Sequence, residues 1–104
     1  MSGINDIMNL QTLRTQYRDN IFALAEKYKL EDIRVFGSTV RGQERPDSDI
    51  DLLVHPKKGC SLLDISAFEV SVSELMGGKK IDVLDDVVIK EAFAPYILSE
   101  AVKL

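Results

Sequence analysis

The stretch Glu31-Asp32-Ile33-Arg34-Val35-Phe36-Gly37-Ser38 and, after ten intervening residues, Asp49-Ile50-Asp51-Leu52-Leu53-Val54-His55 decide the fold. The first run mixes polar with β-branched and aromatic residues and stops at a glycine, so it predicts a strand over 31–36. The second predicts another strand. Successive strand side chains point to opposite faces, so Ile50, Leu52 and Val54 project one way and Asp49, Asp51 and Leu53 the other. Two carboxylates therefore share a face.

Upstream, Leu10, Leu13, Tyr17, Ile21, Leu24 and Tyr28 recur at intervals of three and four, the apolar stripe of an amphipathic helix running towards Leu30. Between the strands, Ser38 is placed to cap a short helix reaching Arg41-Gly42, ahead of a turn at Arg45-Pro46-Asp47-Ser48. Downstream, Pro56-Lys57-Lys58-Gly59 breaks the second strand. Ser61 to Met76 then carries Leu62, Leu63, Ala67, Val70 and Leu75 in roughly helical spacing and ends at Gly77-Gly78. Lys79 to Leu84 predicts a third strand, and Phe93, Ile97, Leu98 and Ala101 a terminal helix around or after Pro95. This order implies an α/β or α+β sandwich, one sheet covered by helices. Both connections that carry helices between strands are long enough for parallel crossovers, and strand order stays open.

A chain of 104 residues fits one domain spanning 1–104, since domains commonly run about 100–150 residues. With 45% hydrophobic and 29% charged residues it has the balance of an ordinary globular protein. No apolar run approaches the roughly 20 residues that span a bilayer, and Met1 to Arg14 lack the pattern of a signal peptide, so a cytoplasmic location is expected. Cys60 is the only cysteine, which excludes an internal disulfide and a thiolate zinc cluster. A nucleophilic role for Cys60 would have to rely on His55, the sole histidine, and a packing role is the simpler reading. The net charge of −4 argues against gripping a long nucleic-acid backbone.

A strand that ends in Gly37-Ser38 and leads into a helix offers backbone N–H groups and a positive dipole end to an anion. Glycine lets phosphate approach the main chain, and the Ser38 hydroxyl adds a donor. Taken alone, the pair is more simply a strand end with its cap, because Gly-Ser pairs are common in loops. Asp49 and Asp51 would repel each other without a cation, and hard oxygen ligands suit Mg²⁺ or Mn²⁺. Taken alone, they are equally the charged face of an edge strand. Asp82, between Ile81 and Val83 on the third strand, is either a surface acid or the carboxylate completing a two-metal site. An EF-hand fails, because Leu52 stands where the turn glycine belongs and Lys58 where the bidentate glutamate belongs. P-loop, Rossmann and Gly-x-Ser-x-Gly patterns are absent.

The spacing Gly37-Ser38, ten residues, Asp49-x-Asp51 resembles the signature of the DNA polymerase beta-like nucleotidyltransferase superfamily. The fuller strings Val35-Phe36-Gly37-Ser38-Thr39-Val40-Arg41-Gly42 and Arg45-Pro46-Asp47-Ser48-Asp49-Ile50-Asp51-Leu52-Leu53-Val54 resemble its stand-alone minimal nucleotidyltransferase (MNT) domains. The likeness continues through the helix from Ser61, the Lys79-Lys80-Ile81-Asp82 strand and the closing Ile97 to Val102. It implies a mixed sheet with helices on one side, Asp49 and Asp51 ligating divalent metal, Asp82 as third carboxylate and Gly37-Ser38 gripping the triphosphate. It further implies an antitoxin that transfers AMP from ATP to a tyrosine of a partner HEPN ribonuclease toxin. Thr39-Val40 departs from the pattern, where relatives often carry Arg and Ala ahead of the shared Arg41.

On that basis an acceptor hydroxyl attacks the α-phosphate in line, pyrophosphate leaves, Asp82 is the candidate general base, and Arg41 and Arg45 are candidates to neutralise the leaving group. The short chain leaves little room for an acceptor-binding domain, which points to a partner protein. The competing expectations are a binding module that neutralises its partner by contact alone, and transfer to a small molecule.

Overall fold

The computed structural model describes residues 9–43, 49–92 and 94–104. Arg45, Asp47, Ser48 and Phe93 lie outside the described residues.

The N-terminal rod consists of α1 (Leu10–Thr12), a widened π-helical turn (Leu13–Tyr17) and α2 (Arg18–Lys27). Asn9 caps it, its side chain accepting the Thr12 N–H at 2.8 Å. The predicted stripe faces the core: Leu13 and Ile21 are fully buried, with Leu10, Tyr17, Leu24 and Tyr28 packed around them. The rod ends before Leu30, which opens the first strand instead.

Strand β1 (Leu30–Phe36) leads through Gly37 into α3 (Ser38–Arg41). After it come β2 (Ile50–Pro56), α4 (Leu62–Leu75) and β3 (Ile81–Asp85). The chain continues as α5 (Asp86–Ala92), α6 (Ala94–Glu100) and β4 (Val102–Lys103). One sheet has the order β3-β2-β1-β4. β1 pairs antiparallel with β2 and β4, whereas β2 and β3 are parallel, so the sheet is mixed. Of the two connections long enough for a crossover, only the one through α4 makes one.

The alternation expected in β2 holds, with Ile50, Leu52 and Val54 all in the larger core. In β1 it is interrupted by a bulge at Glu31–Arg34, where Asp32 adopts φ 54. The extra residue lets Leu30, Ile33 and Val35 all reach that same core.

Helix α4 begins with a reciprocal cap, Ser61 and Asp64 each accepting the other's backbone N–H. It buries a different face from the one its sequence spacing suggested. Phe68 and Val72 are fully buried and Ile65 and Leu75 pack beside them, while Leu62, Leu63 and Val70 are 80%, 81% and 55% exposed. The helix is apolar on both sides, and spacing alone does not choose between two stripes.

The rod and α4 cover one sheet face. The other carries a smaller core in which Phe36, Leu53 and Leu84 meet Ile89 of α5 and Ile97 of α6. Helices therefore lie on both faces rather than one, and the tail is two helices and a strand rather than a single helix. The second face is only partly covered, and the acidic residues emerge beside its core.

Candidate active site

Parallel pairing sets Asp51 directly beside Asp82, and antiparallel pairing sets Phe36 against Asp51. The C-terminal end of β1 and the N-terminal ends of β2 and β3 thus meet at one edge. Gly37 follows Phe36 and is pressed on Asp51. Its φ of 78 and ψ of −153 belong to glycine, and a Cβ there would overlap Asp51 Oδ2. The glycine serves close approach to a carboxylate as well as any approach to phosphate.

Gly37, not Ser38, is the helix cap, and no side chain among the described residues bonds the α3 amides. Ser38 is the first helical residue. Among the described residues nothing bonds its hydroxyl, and the N–H groups of Ser38 and Thr39 find no acceptor, as expected for a first helical turn. The Thr39 hydroxyl is buried without a partner among the described residues. The loop thus retains several free donors beside the acidic pair.

The Gly37 N–H is not among them. It donates to Glu100 Oε2 at 2.9 Å, while Arg41 Nη1 meets Glu100 Oε1 at 2.6 Å and Arg41 Nε meets Gln43 Oε1 at 3.1 Å. The Gly37 amide first, and the Arg41 hydrogen bond second, hold the Glu100 carboxyl below its usual range. Sequence reasoning overlooked Glu100, whose partners are distant in the chain and leave no local signal.

Asp51 is half-buried and pushed up to about 6, by desolvation first, then by the charges of Asp82 and Asp49 and a hydrogen bond to Asp82, against the pull of Arg41. The same Oδ1/Oδ2 environment would suit a cation. Asp49, just before β2, has its Oδ2 3.6 Å from Nζ of the exposed Lys80, a weak pair. Asp51 and Asp82 are brought together, and Asp49 contributes its field without joining their contact. Accordingly, no group of three His, Cys, Asp or Glu side chains among the described residues forms a ready metal cage. Mg²⁺ does not need one, since it commonly takes one or two carboxylates and completes its shell with water and substrate phosphate oxygens. The donor set at Asp51 and Asp82 fits that chemistry.

A shallow concavity of about 240 Å³ between α4 and β3 includes Asp82 and Lys80 in its wall. The larger one, about 470 Å³, lies between α2 and β1 around Phe22, Leu30 and Ile33, away from these carboxylates. Cys60 sits beyond the far end of β2, its thiol directed at the Tyr28 carbonyl at 3.4 Å and pushed up chiefly by burial. His55 Nδ1 is 2.8 Å from Asp86 Oδ1 instead. Neither forms a nucleophilic pair with the other. No helix among the described residues is long and apolar enough to cross a membrane.

Residues 21–103 match the Nucleotidyltransferase domain family, a span holding the glycine–serine loop, all three acids and Glu100. The chain belongs to that family. This nucleotidyltransferase is 33% identical over 95 residues to a Methanocaldococcus jannaschii protein assigned as a protein adenylyltransferase, covering 91% of this chain and 97% of the relative. It is 35% identical over 79 residues to the protein adenylyltransferase MntA of Thermococcus cleftensis, covering 76% and 79%. A solved structure described as a minimal nucleotidyltransferase superposes with TM-score 0.75 at 35% identity, covering 93% of this chain and 97% of that one. A toxin–antitoxin structure with AMP-PNP shares the fold at 18% identity and TM-score 0.70, covering 84% of this nucleotidyltransferase and 71% of that chain. The mixed α/β architecture and the enzyme class expected from the signature are those of the family.

Proposed function

We propose that this nucleotidyltransferase moves AMP from ATP onto a hydroxyl, a tyrosine of a partner HEPN-type ribonuclease toxin, and so acts as the toxin's antitoxin. The observation that carries the reading is the placement of Asp51 beside Asp82, on adjacent parallel strands, next to a loop with free donors at Ser38 and Thr39. Support for adenylyl transfer to protein comes from the MntA relative, and for the toxin partner from the toxin–antitoxin neighbours of the same fold.

In this reading the Ser38 hydroxyl and the first amides of α3 hold the triphosphate, and the spare N–H groups of Arg41 face its negative charge. Asp49, Asp51 and Asp82 would hold Mg²⁺ or Mn²⁺, Asp49 once turned from its weak pair with Lys80, and the cation would neutralise phosphate charge. Asp82 takes the proton of the acceptor hydroxyl as its oxygen bonds to the α-phosphorus. The bond from that phosphorus to the bridging oxygen breaks, and pyrophosphate carries the electron pair away. Residues 21–103 work as one nucleotidyltransferase domain, and the reaction takes place in the cytoplasm.

Incubating the protein with Mg²⁺, ATP labelled at the α-phosphate and the partner tests this. Label on the partner is expected with the unaltered chain and not with Asp51→Asn or Asp82→Asn. A partner silenced without any label would sink the enzymatic reading in favour of neutralisation by contact.

A further inference from the structure

Glu100 makes two contacts that no nucleotide-holding role explains by itself. One carboxylate oxygen accepts the Gly37 N–H and the other the Arg41 guanidinium, so a single side chain ties the beginning of the glycine–serine loop to its end. Glu100 is itself hard to move. It closes α6, whose Ile97 is buried in the smaller core, and the next residues pair as β4 with Arg34 and Val35 of β1. Beyond them the Leu104 N–H donates to the Ile33 carbonyl at 3.1 Å, and Arg18 Nε binds the Leu104 carbonyl at 2.8 Å. The carboxylate is 20% exposed, the Arg41 side chain 49%.

We propose that Glu100 is a positioning residue of the nucleotide site: anchored through β4, it holds Gly37 against Asp51 and aims Arg41, setting the shape of the triphosphate loop before ATP arrives. This rests on the nucleotidyltransferase reading of the loop. A carboxylate beside an arginine can instead be an internal competitor for phosphate. Two features favour positioning. A competitor must leave when phosphate binds, and the strand and core contacts on either side of Glu100 fix its main chain, so that only a change of rotamer that breaks both side-chain contacts could withdraw it. The Gly37 N–H also points at Glu100 rather than at Ser38's open side, so departure would strand a main-chain donor. Arg41 keeps further N–H groups for the ligand while its orientation is set.

The test uses Glu100→Ala and Glu100→Gln in the full chain, with Mg·ATP binding by calorimetry, amide exchange at Gly37 and, where transfer occurs, KM and kcat separately. Gln keeps an acceptor for Gly37 and loses the charge facing Arg41. Glu100→Ala is expected to weaken Mg·ATP binding about tenfold, the effect of one charge-assisted hydrogen bond, and to speed Gly37 exchange. Glu100→Gln should keep Gly37 protected and recover part of the affinity. In an Arg41→Ala background the Glu100→Ala loss should shrink, because part of it acts through Arg41. Tighter binding by Glu100→Ala overturns the proposal and makes Glu100 a competitor. A lowered melting temperature with unchanged affinity overturns it too and leaves a structural role only. Should the unaltered chain bind no ATP, the functional reading fails by itself. Gly37 exchange then still decides whether Glu100 shapes the loop, and exchange unchanged by Glu100→Ala overturns that.

Discussion

Replacing Asp51 by asparagine should make the protein more stable while abolishing transfer. The folded site raises the Asp51 pKa from 3.8 to about 6, so the folded chain holds that proton more tightly than the unfolded chain does. Between those two values stability falls as pH rises, and above the folded value the ionised carboxylate carries its full cost. At about 1.4 kcal/mol per unit the shift corresponds to roughly 3 kcal/mol, and solvent screening of a half-exposed group reduces it to about 1 kcal/mol. For a domain of this size that is roughly 4–8 °C in melting temperature. The assay is thermal unfolding of both forms in chelator across pH. The gain from Asp51→Asn should be full near neutrality, decline as pH falls through about 6, and vanish below about 4, where both side chains are neutral. Added Mg·ATP should stabilise the unaltered protein and not the variant. A gain independent of pH, or no gain near neutrality, would refute the argument that burial, and then the neighbouring carboxylates, hold Asp51 here at a cost to its charge.

Gly37→Ala combines a backbone conformation proper to glycine with overlap on Asp51, and should cost about 1–3 kcal/mol in denaturant unfolding along with the loss of transfer. A fully stable, active variant would contradict the close approach. Phe68→Ala should cost about 3–5 kcal/mol, whereas Leu63→Ala should stay within about 0.5 kcal/mol. The reverse order would mean that α4 packs by its other face. Cys60, its thiol raised by burial and by the charges of Asp64 and Asp85, should alkylate more slowly at neutral pH than free cysteine, as read by mass spectrometry. Faster labelling would mark it as activated.

The parts legible in the sequence are those written in local periodicity. Ile50, Leu52 and Val54 alternate against Asp51 without interruption, so strand β2 and the facing of its acid are readable in a few residues. The rod's stripe from Leu10 to Tyr28 is likewise local and largely survives its π turn. Helix α4 was not legible in its orientation, because Leu62, Leu63 and Val70 are as apolar as Ile65, Phe68 and Val72, and only the sheet beneath selects between them. Val102-Lys103 is too short to show a strand period and exists by pairing with β1. The glycine–serine loop and the acids at 49, 51 and 82 could be named from residue type, yet the pairing of Asp49 with Lys80 depends on side-chain placement. Glu100 lay furthest from view, since both its partners belong to a segment that precedes it by most of the chain.

That separation has a temporal consequence. The Gly37–Glu100 hydrogen bond spans 63 positions. At about 5–20 residues per second, a ribosome makes the glycine roughly 3–13 s before the glutamate that holds it. During that interval β1 and β2 are made ahead of the segment that completes them, and neither can β4 pair with β1 nor can α6 bring the Glu100 carboxylate to the loop. Such late, distant closure also belongs to slow-folding topologies. The glycine–serine loop is thus among the first parts of the site to be made and takes its final form only with the last helix and strand of the fold.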